Sequence, residues 1–304
     1  MASPGPGHII AVGGGKGGIG KSIIATNIAA GLALCGKKVV LVDTDFGSSN
    51  LHALLGIYNP AHGFANLFQT NAIDPQSLLL DTQINNLQLI CAAGDNPGSS
   101  DVNFETLNIV KNNIRNLTAD YVLLDLAPGV SYSVVDFYNL AHTGLAITTP
   151  ELTSIIKTFS YIRAVLFRKI GDAFKGNKDL LRLVDHSNPI NADMETHSIK
   201  ILKEKLMAID PKQVLVVETL VDTFKPCLIV NRVRYKKDLK AGANLINLVK
   251  KFLGVEAVYL GYLIESDRVR DSVDEMRPFL IKEPDSKPGI NIHQIIDALT
   301  NTVF

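Results

Sequence analysis

Net charge is missing from this chain: thirty basic and thirty acidic side chains cancel over 304 residues. That balance excludes an overall field that would recruit nucleic acid or anionic lipid, and it leaves any such binding to a local patch. Cysteine is scarce. Cys35, Cys91 and Cys227 lie far apart with no C-x-x-C spacing, so they read as reduced core thiols of a cytoplasmic protein. No apolar run approaches the ~18 residues that a membrane span needs. Residues 1–7 form a Pro/Gly/Ser stretch with neither a basic region nor an apolar core, so an export signal is not expected. Internal repeats and low-complexity segments are absent as well. What remains, 46% hydrophobic and 20% charged, fits one soluble α/β domain.

Residues 13–22 read Gly-Gly-Gly-Lys-Gly-Gly-Ile-Gly-Lys-Ser. Gly15, Gly20, Lys21 and Ser22 meet the phosphate-loop pattern G-x-x-x-x-G-K-[ST]. An apolar run at 8–12 precedes the loop as a buried strand, and 23–34 follow as a helix that is apolar almost all round. Glycines let successive N–H groups turn inward toward phosphate oxygens, and the helix N-terminus adds partial positive charge. Gly15, Lys16, Gly17, Gly18, Ile19, Gly20, Lys21 and Ser22 are therefore the candidate nucleotide loop. In it Lys21 would reach the β- and γ-phosphates and Ser22 would ligate Mg²⁺. The alternative is a Gly-rich turn without a ligand. Strand, loop, lysine, hydroxyl and helix in that order argue against it.

Short apolar runs at 8–12, 38–42, 87–92, 121–124, 145–148, 227–230 and 257–261 predict strands, most of them bounded by Gly, Pro, Asp or Asn. Helical spacing predicts helices near 23–34, 103–117, 134–140, 154–167, 240–252 and 292–301. Strands that are apolar throughout are buried on both faces, which predicts a mostly parallel twisted sheet with helices on both faces. Ligands then sit at the carboxyl ends of the strands, where Gly13, Asp43, Asp125, Pro150 and Asn231 fall. The region 169–224 breaks the alternation. Loops are expected near 176–179 and 185–193 and a helix over 195–209, and the first convincing strand signal in the region is at 214–217. The region reads as a helical insertion on the sheet's flank, either structural elaboration or a docking surface for a partner.

Asp43 and Asp45 stand two residues apart at a strand's end, so both project to one side if the chain stays extended. One can face the magnesium shell while the other orients water. Asp125 ends a second strand and Gly129 follows four residues later, the D-x-x-x-G spacing of a nucleotide-sensing switch. There Asp125 would hold a Mg²⁺ water and the Gly129 N–H could meet the γ-phosphate. Taken singly, a strand-end Asp is more often a cap or turn residue.

Lys16 within this loop, together with 43–51 and 125–129, resembles the deviant Walker A ATPases of the MinD/ParA class. The stretches 50–56 and 149–154 make the resemblance closer to the MinD and FlhG/FleN subgroup. It covers 8–167 and resumes from 227 onward. The resemblance implies a single P-loop NTPase domain that binds ATP or ADP with Mg²⁺, hydrolyses ATP, and forms an ATP-dependent homodimer. Lys16 would cross to the partner's ATP, Asp45 would orient the attacking water, and Asp43 would support the magnesium region. Asn231, with Arg232, Ile264 and Glu265, would form the base site. Residues 46–50, including Gly47, and 129–133, including Gly129, would be the switch segments, with Glu151 a further switch position.

The nearest approach to a guanine-reading N/T-K-x-D lies at 177–180. It lacks the final Asp and follows no strand, which favours ATP over GTP. Residues 290–304 hold no Lys or Arg, unlike the basic membrane helix of membrane-bound members. Ile292, Ile295, Ile296, Leu299 and Val303 are therefore expected to pack on the domain, leaving a cytoplasmic protein with at most weak peripheral attachment to the inner membrane. Iron–sulphur and nitrogenase-like relatives would want a C-x-x-C or a cysteine just beyond Asp125, and neither is present. Two alternatives stay open. One is a metabolic ligase or synthetase on the same scaffold. The other is a DNA-partitioning ATPase, cued by the basic run 232–237 with Tyr235 interleaved, and by Arg163, Arg168 and Lys169. The expectation favoured here is an ATP-driven dimerising switch that positions or counts a cellular structure through a protein partner.

Overall fold

The computed structural model describes residues 5–47, 49–64, 74–92, 104–186 and 199–303. Strand β1 (His8–Gly13) leads into α1 (Lys21–Leu34), then β2 (Val39–Asp43), a short α2 (Leu51–Leu54), β3 (Leu80–Asp81) and β4 (Leu87–Ile90). Next come α3 (Phe104–Arg115), β5 (Tyr121–Asp125), α4 (Tyr132–Leu140), β6 (Thr143–Thr148) and the long α5 (Leu152–Ala173). Helices α6 (Lys178–His186), α7 (Ile199–Ile209) and α8 (Pro211–Thr223) precede β7 (Cys227–Val233). The remaining elements are α9 (Lys240–Leu253), β8 (Val258–Ile264), α10 (Asp267–Asp274), α11 (Phe279–Lys282) and α12 (Lys287–Val303).

The eight strands form one sheet in the order β3-β4-β2-β5-β1-β6-β7-β8. Every pairing is parallel except β3 with β4. Alternate side chains feed two cores, because successive residues of a strand point to opposite faces. Ile9, Ala11, Val122 and Leu124 join the core under α3, α4, α5 and α9. Ile10, Val12, Leu123 and Leu145 join the core under α1, α11 and α12. Helices on both faces explain why the strand runs are apolar throughout. They also explain α1, which is covered by the sheet on one side and by α11 and α12 on the other, with Gly31 against Ile296 and Leu280. Ile292, Ile295, Ile296 and Leu299 of α12 are buried as expected. Among the described residues no helix is long and apolar enough to cross a membrane.

Several local expectations are corrected. The strand signal at 214–217 belongs to helix α8: Asp210 caps it by accepting from the Lys212 N–H, Pro211 starts it, and Val214, Val217 and Val221 form its buried stripe. Their spacing of three and four residues lets packing override β-branched propensity. Helix α6 begins at Lys178, inside the stretch read as loop, because the Asn177 side chain accepts from the Asp179 and Leu180 N–H groups. Lys169 still belongs to α5. Cys91 and Cys227 are buried free thiols, but Cys35 ends α1 and is exposed. The two-residue edge strand β3 was not anticipated. Asn103, Ser48, Val303's side chain and most of 185–198 lie outside the described residues.

Candidate functional site

The carboxyl ends of β1, β2 and β5 meet at one edge of the sheet, and their register places Asp43 opposite Asp125, with Val12 on the other side of Asp125. The loop 14–20 leaves β1 there and enters α1. Gly15 passes so close to the Lys157 carbonyl of α5 that any Cβ would collide with it. Gly20, the residue before α1, has φ 87°, in the left-handed region that favours glycine. No side chain caps α1 and no acidic residue occupies its first turn. A helix start with these features carries unopposed partial positive charge, which suits an anion.

Lys21 is buried at 7% exposure, and burial lowers its pKa while Asp125 and Asp45 pull it back up. Asp125 is also buried; desolvation first, then Asp43, push its carboxyl up to about 8. The Ser22 hydroxyl hydrogen-bonds to Asp125, whose Oδ1 has no hydrogen-bond partner among the described residues. Asp43 is raised to about 6 by burial, against the effect of its hydrogen bonds. Its Oδ1 accepts from the Asp45 N–H at 2.9 Å, and its Oδ2 accepts from the Ser49 hydroxyl at 2.8 Å and the Leu51 N–H at 3.4 Å. Asp43 thus orders the loop that carries Asp45, which is half-buried and accepts from the Gly47 N–H at 3.3 Å.

Three carboxylates around one buried lysine leave this edge short of positive charge. A hydroxyl and an orphaned carboxylate oxygen side by side form a hard-oxygen donor set of the kind Mg²⁺ takes. The cradle of glycines, the bare helix start and Lys21 fit the phosphates that such a metal accompanies. The residues present therefore fit both groups.

Around this centre the other predicted residues fall into two groups. Lys16, Gly17 and Gly18 are exposed at the tip of the loop. Glu151, exposed just before α5, has its pKa lowered first by the Thr149 hydroxyl and then by the charges of Lys16 and Arg232, so these three side chains share one surface. Gly129, with φ 97°, donates its N–H to the Gly14 carbonyl at 3.4 Å, which lays the 126–131 turn over the phosphate loop. Asn231 is buried beside Ile19 and Gly20. Ile264 and Glu265 stand one strand further out. Ile264 lines a cleft of about 520 Å³ with Ser266, Arg268 and Pro284, and Glu265 is ion-paired with Arg234.

Sequence reasoning missed the Asn231 contact with the loop and the role of α5 as its backing, since both join residues far apart in the chain. It also left the basic residues open. Arg163 is buried, Arg168 pairs with Asp136 at 2.7 Å, and Lys169 lies over the Phe224 ring. A separate cavity of about 870 Å³ lies among α7, α8 and the end of α9, and none of the predicted site residues lines it.

Comparison with known proteins gives the family and the fold. A family model described as the CobQ/CobB/MinD/ParA nucleotide binding domain matches residues 10–279. The septum site-determining protein MinD of Helicobacter pylori is 33% identical over 148 residues, which are 48% of this chain and 54% of that protein. The chain spans about half the length of the curated relatives it matches. Among solved structures, MinD of Pyrococcus horikoshii complexed with Mg-ADP is similar with a TM-score of 0.65 at 18% identity, covering 98% of each chain. The MinC:MinD cell division complex of Aquifex aeolicus gives a TM-score of 0.61 at 20% identity, covering 97% of this chain and 96% of that one. At such identities these likenesses show the fold.

Proposed function

The chain belongs to the CobQ/CobB/MinD/ParA nucleotide-binding family, and on that premise we propose that it is a Mg²⁺-dependent ATPase whose ATP-bound form dimerises and acts as a spatial switch. The observation that carries this reading is the orphaned, buried Asp125 oxygen beside Ser22 at the foot of a glycine cradle. It is a costly arrangement that a bound cation and phosphates relieve.

In this reading the loop N–H groups of 15–22 and Lys21 hold the phosphates. Ser22 and Asp125 hold Mg²⁺, with Asp43 behind them; the ion, when bound, neutralises phosphate charge. Asp45 is the group that orients the attacking water, and Asp43 fixes its backbone. Asn231, Arg232, Ile264 and Glu265 border the base. Lys16 is exposed and lies within reach of Glu151's charge, so it is free to leave for an anion on a second copy. A cation that completes the site only on association makes ATP the dimer's adhesive and hydrolysis its release. Gly47, Gly129 and Glu151 lie on the segments that such a cycle would move.

The partner proposed is a second copy of the chain, together with a protein that reads the dimer, and the biological output is placement or number of a structure such as the division site or a flagellum. The apolar face of α12 packs on the domain and not outward toward lipid, and the reading taken is a cytoplasmic protein with at most weak peripheral attachment to the inner membrane. The partition reading is weakened because Arg168 and Arg234 are engaged by carboxylates.

Light scattering on Asp45→Ala tests the proposal. With Mg-ATP at micromolar protein the variant is expected to be a dimer, and with ADP a monomer. A variant that binds ATP yet stays monomeric rules out the sandwich.

A further inference from the structure

We propose that Asn231 is a positioning residue for the phosphate loop, acting on it through backbone contacts. The functional part of this inference rests on the nucleotide reading above; the structural part stands without it. Asn231 sits in β7, an interior strand paired with β6 and β8. Its side-chain Nδ2 donates to the Ile19 carbonyl at 2.7 Å, across 212 residues of chain. Its Oδ1 accepts the Arg232 N–H at 2.8 Å. A carbonyl only accepts and a backbone N–H only donates, so these two neighbours fix which end of the amide points where.

Both neighbours are unusual backbone. Arg232 has φ 58°, a conformation that residues with a side chain rarely adopt, and it lies where the β7–β8 register slips between Val230 and Val233. Such strain persists where the surroundings over-determine it, and it clusters at functional sites. On the other side Gly20 has φ 87°, and a Cβ there would run into the Asn231 amide. Glycine and amide therefore interlock. The Ile19 side chain is buried at 2% exposure in the α1-side core, so that residue is held by its side chain on one side and by Asn231 on its carbonyl. Its peptide is the last before Gly20, whose own carbonyl accepts the Ile24 N–H at 3.1 Å to start α1.

The hydrogen bond thus sets the direction in which the Gly20 N–H faces, because the Ile19 carbonyl and the Gly20 N–H belong to one planar peptide unit. The resemblance implies that an asparagine here touches adenine. The geometry gives it a job that does not depend on the base: with the side chain 5% exposed, one N–H and one lone pair are committed to backbone. Losing it should loosen the phosphate cradle for any polyphosphate.

Two measurements on Asn231→Ala test this, with Val230→Ala as the control, a buried truncation in the same strand whose side chain joins the core on the other face of the sheet from Ile19. In nucleotide-free protein, amide hydrogen exchange across 19–24 should quicken in Asn231→Ala and stay near wild type in Val230→Ala. By calorimetry with Mg²⁺, Asn231→Ala should bind ATP, GTP and inorganic tripolyphosphate each about tenfold more weakly, the size expected for a lost buried hydrogen bond. The ATP-to-GTP ratio should not change, and the control should stay within about twofold. Weaker ATP with unchanged tripolyphosphate would make Asn231 a base contact and overturn the inference. Equal loosening in Val230→Ala would also overturn it, as general strand destabilisation. If the wild type binds neither ATP nor tripolyphosphate, the nucleotide reading falls, while the exchange measurement still decides whether Asn231 clamps the loop.

Discussion

Replacing Asp125 by Asn should make the nucleotide-free protein more stable while removing its response to Mg-nucleotide. Asp125 is buried, one of its oxygens has no hydrogen-bond partner among the described residues, and Asp43 stands opposite it in the neighbouring strand. These conditions raise its carboxyl from 3.8 to about 8. A carboxyl raised on folding is a liability: below about pH 4 both folded and unfolded forms hold the proton and nothing is lost, and the cost grows as pH rises toward 8. At about 1.4 kcal/mol per unit, the ceiling at pH 7.5 is roughly 5 kcal/mol. Relaxation of Asp43 absorbs part of this, and an asparagine NH₂ finds no better partner than the oxygen had. The net gain expected is about 1–3 kcal/mol. Urea unfolding at pH 7.5 without metal or nucleotide should show the midpoint rising by about 0.5–1 M. The advantage should vanish below pH 4. With Mg-ATP at a hundred times its dissociation constant the wild type should gain about 2.7 kcal/mol, and the variant much less. A variant less stable than wild type without ligand would refute the argument, because it would mean the carboxylate is satisfied in the fold.

Tyr161 is fully buried with its hydroxyl against Gly13 and without a partner among the described residues, and its ring meets Tyr138 edge-on at 5.4 Å. Tyr161→Phe keeps the ring and removes the unpaired group, so it should stabilise by about 1 kcal/mol in the same assay; a loss of that size would reveal a buried water holding the hydroxyl. His8 donates to or accepts from Thr143 at 3.0 Å, and burial first, then the neighbouring His142, lower its pKa from 6.5 to about 4. Its neutral form is favoured by folding, so its contribution is present above about pH 6.5 and is lost as pH falls toward 4. Discounted for a half-exposed ring, the wild type should lose about 1 kcal/mol more than His8→Gln between pH 7 and 4.5. Equal loss in both proteins would clear His8 of any part in acid sensitivity.

Much of the fold was legible because a doubly covered parallel sheet writes itself as short, unbroken apolar runs. All seven predicted strands overlap strands in the structure, with ends that differ by at most three residues. The reading failed where local chemistry was ambiguous. At 214–217 a valine-rich run looked extended, but its stripe and its Asp-Pro start made a helix. The two residues of β3 are too few to carry a period. Cys35 looked like a core thiol because it follows an apolar helix, yet it falls one residue past the end of that helix, next to the already exposed Leu34.

The sequence by itself determined the phosphate loop, since the pattern 15–22 between an apolar strand and an apolar helix leaves little else for those residues to do. It also determined that acids stand at strand ends, and that the family is the one whose loop carries a second lysine. Only the tertiary structure decided how these parts act on each other. Burial, a property of the packed sheet and not of any residue, left one Asp125 oxygen without a hydrogen-bond partner among the described residues and pushed the carboxyl up. Strand order put Asp43 opposite Asp125, although they are 82 positions apart in the chain. Contacts between α5 and Gly15, and between Asn231 and Ile19, join segments more than a hundred residues apart. A local pattern holds no record of such contacts, because they arise only when independent elements close on one core.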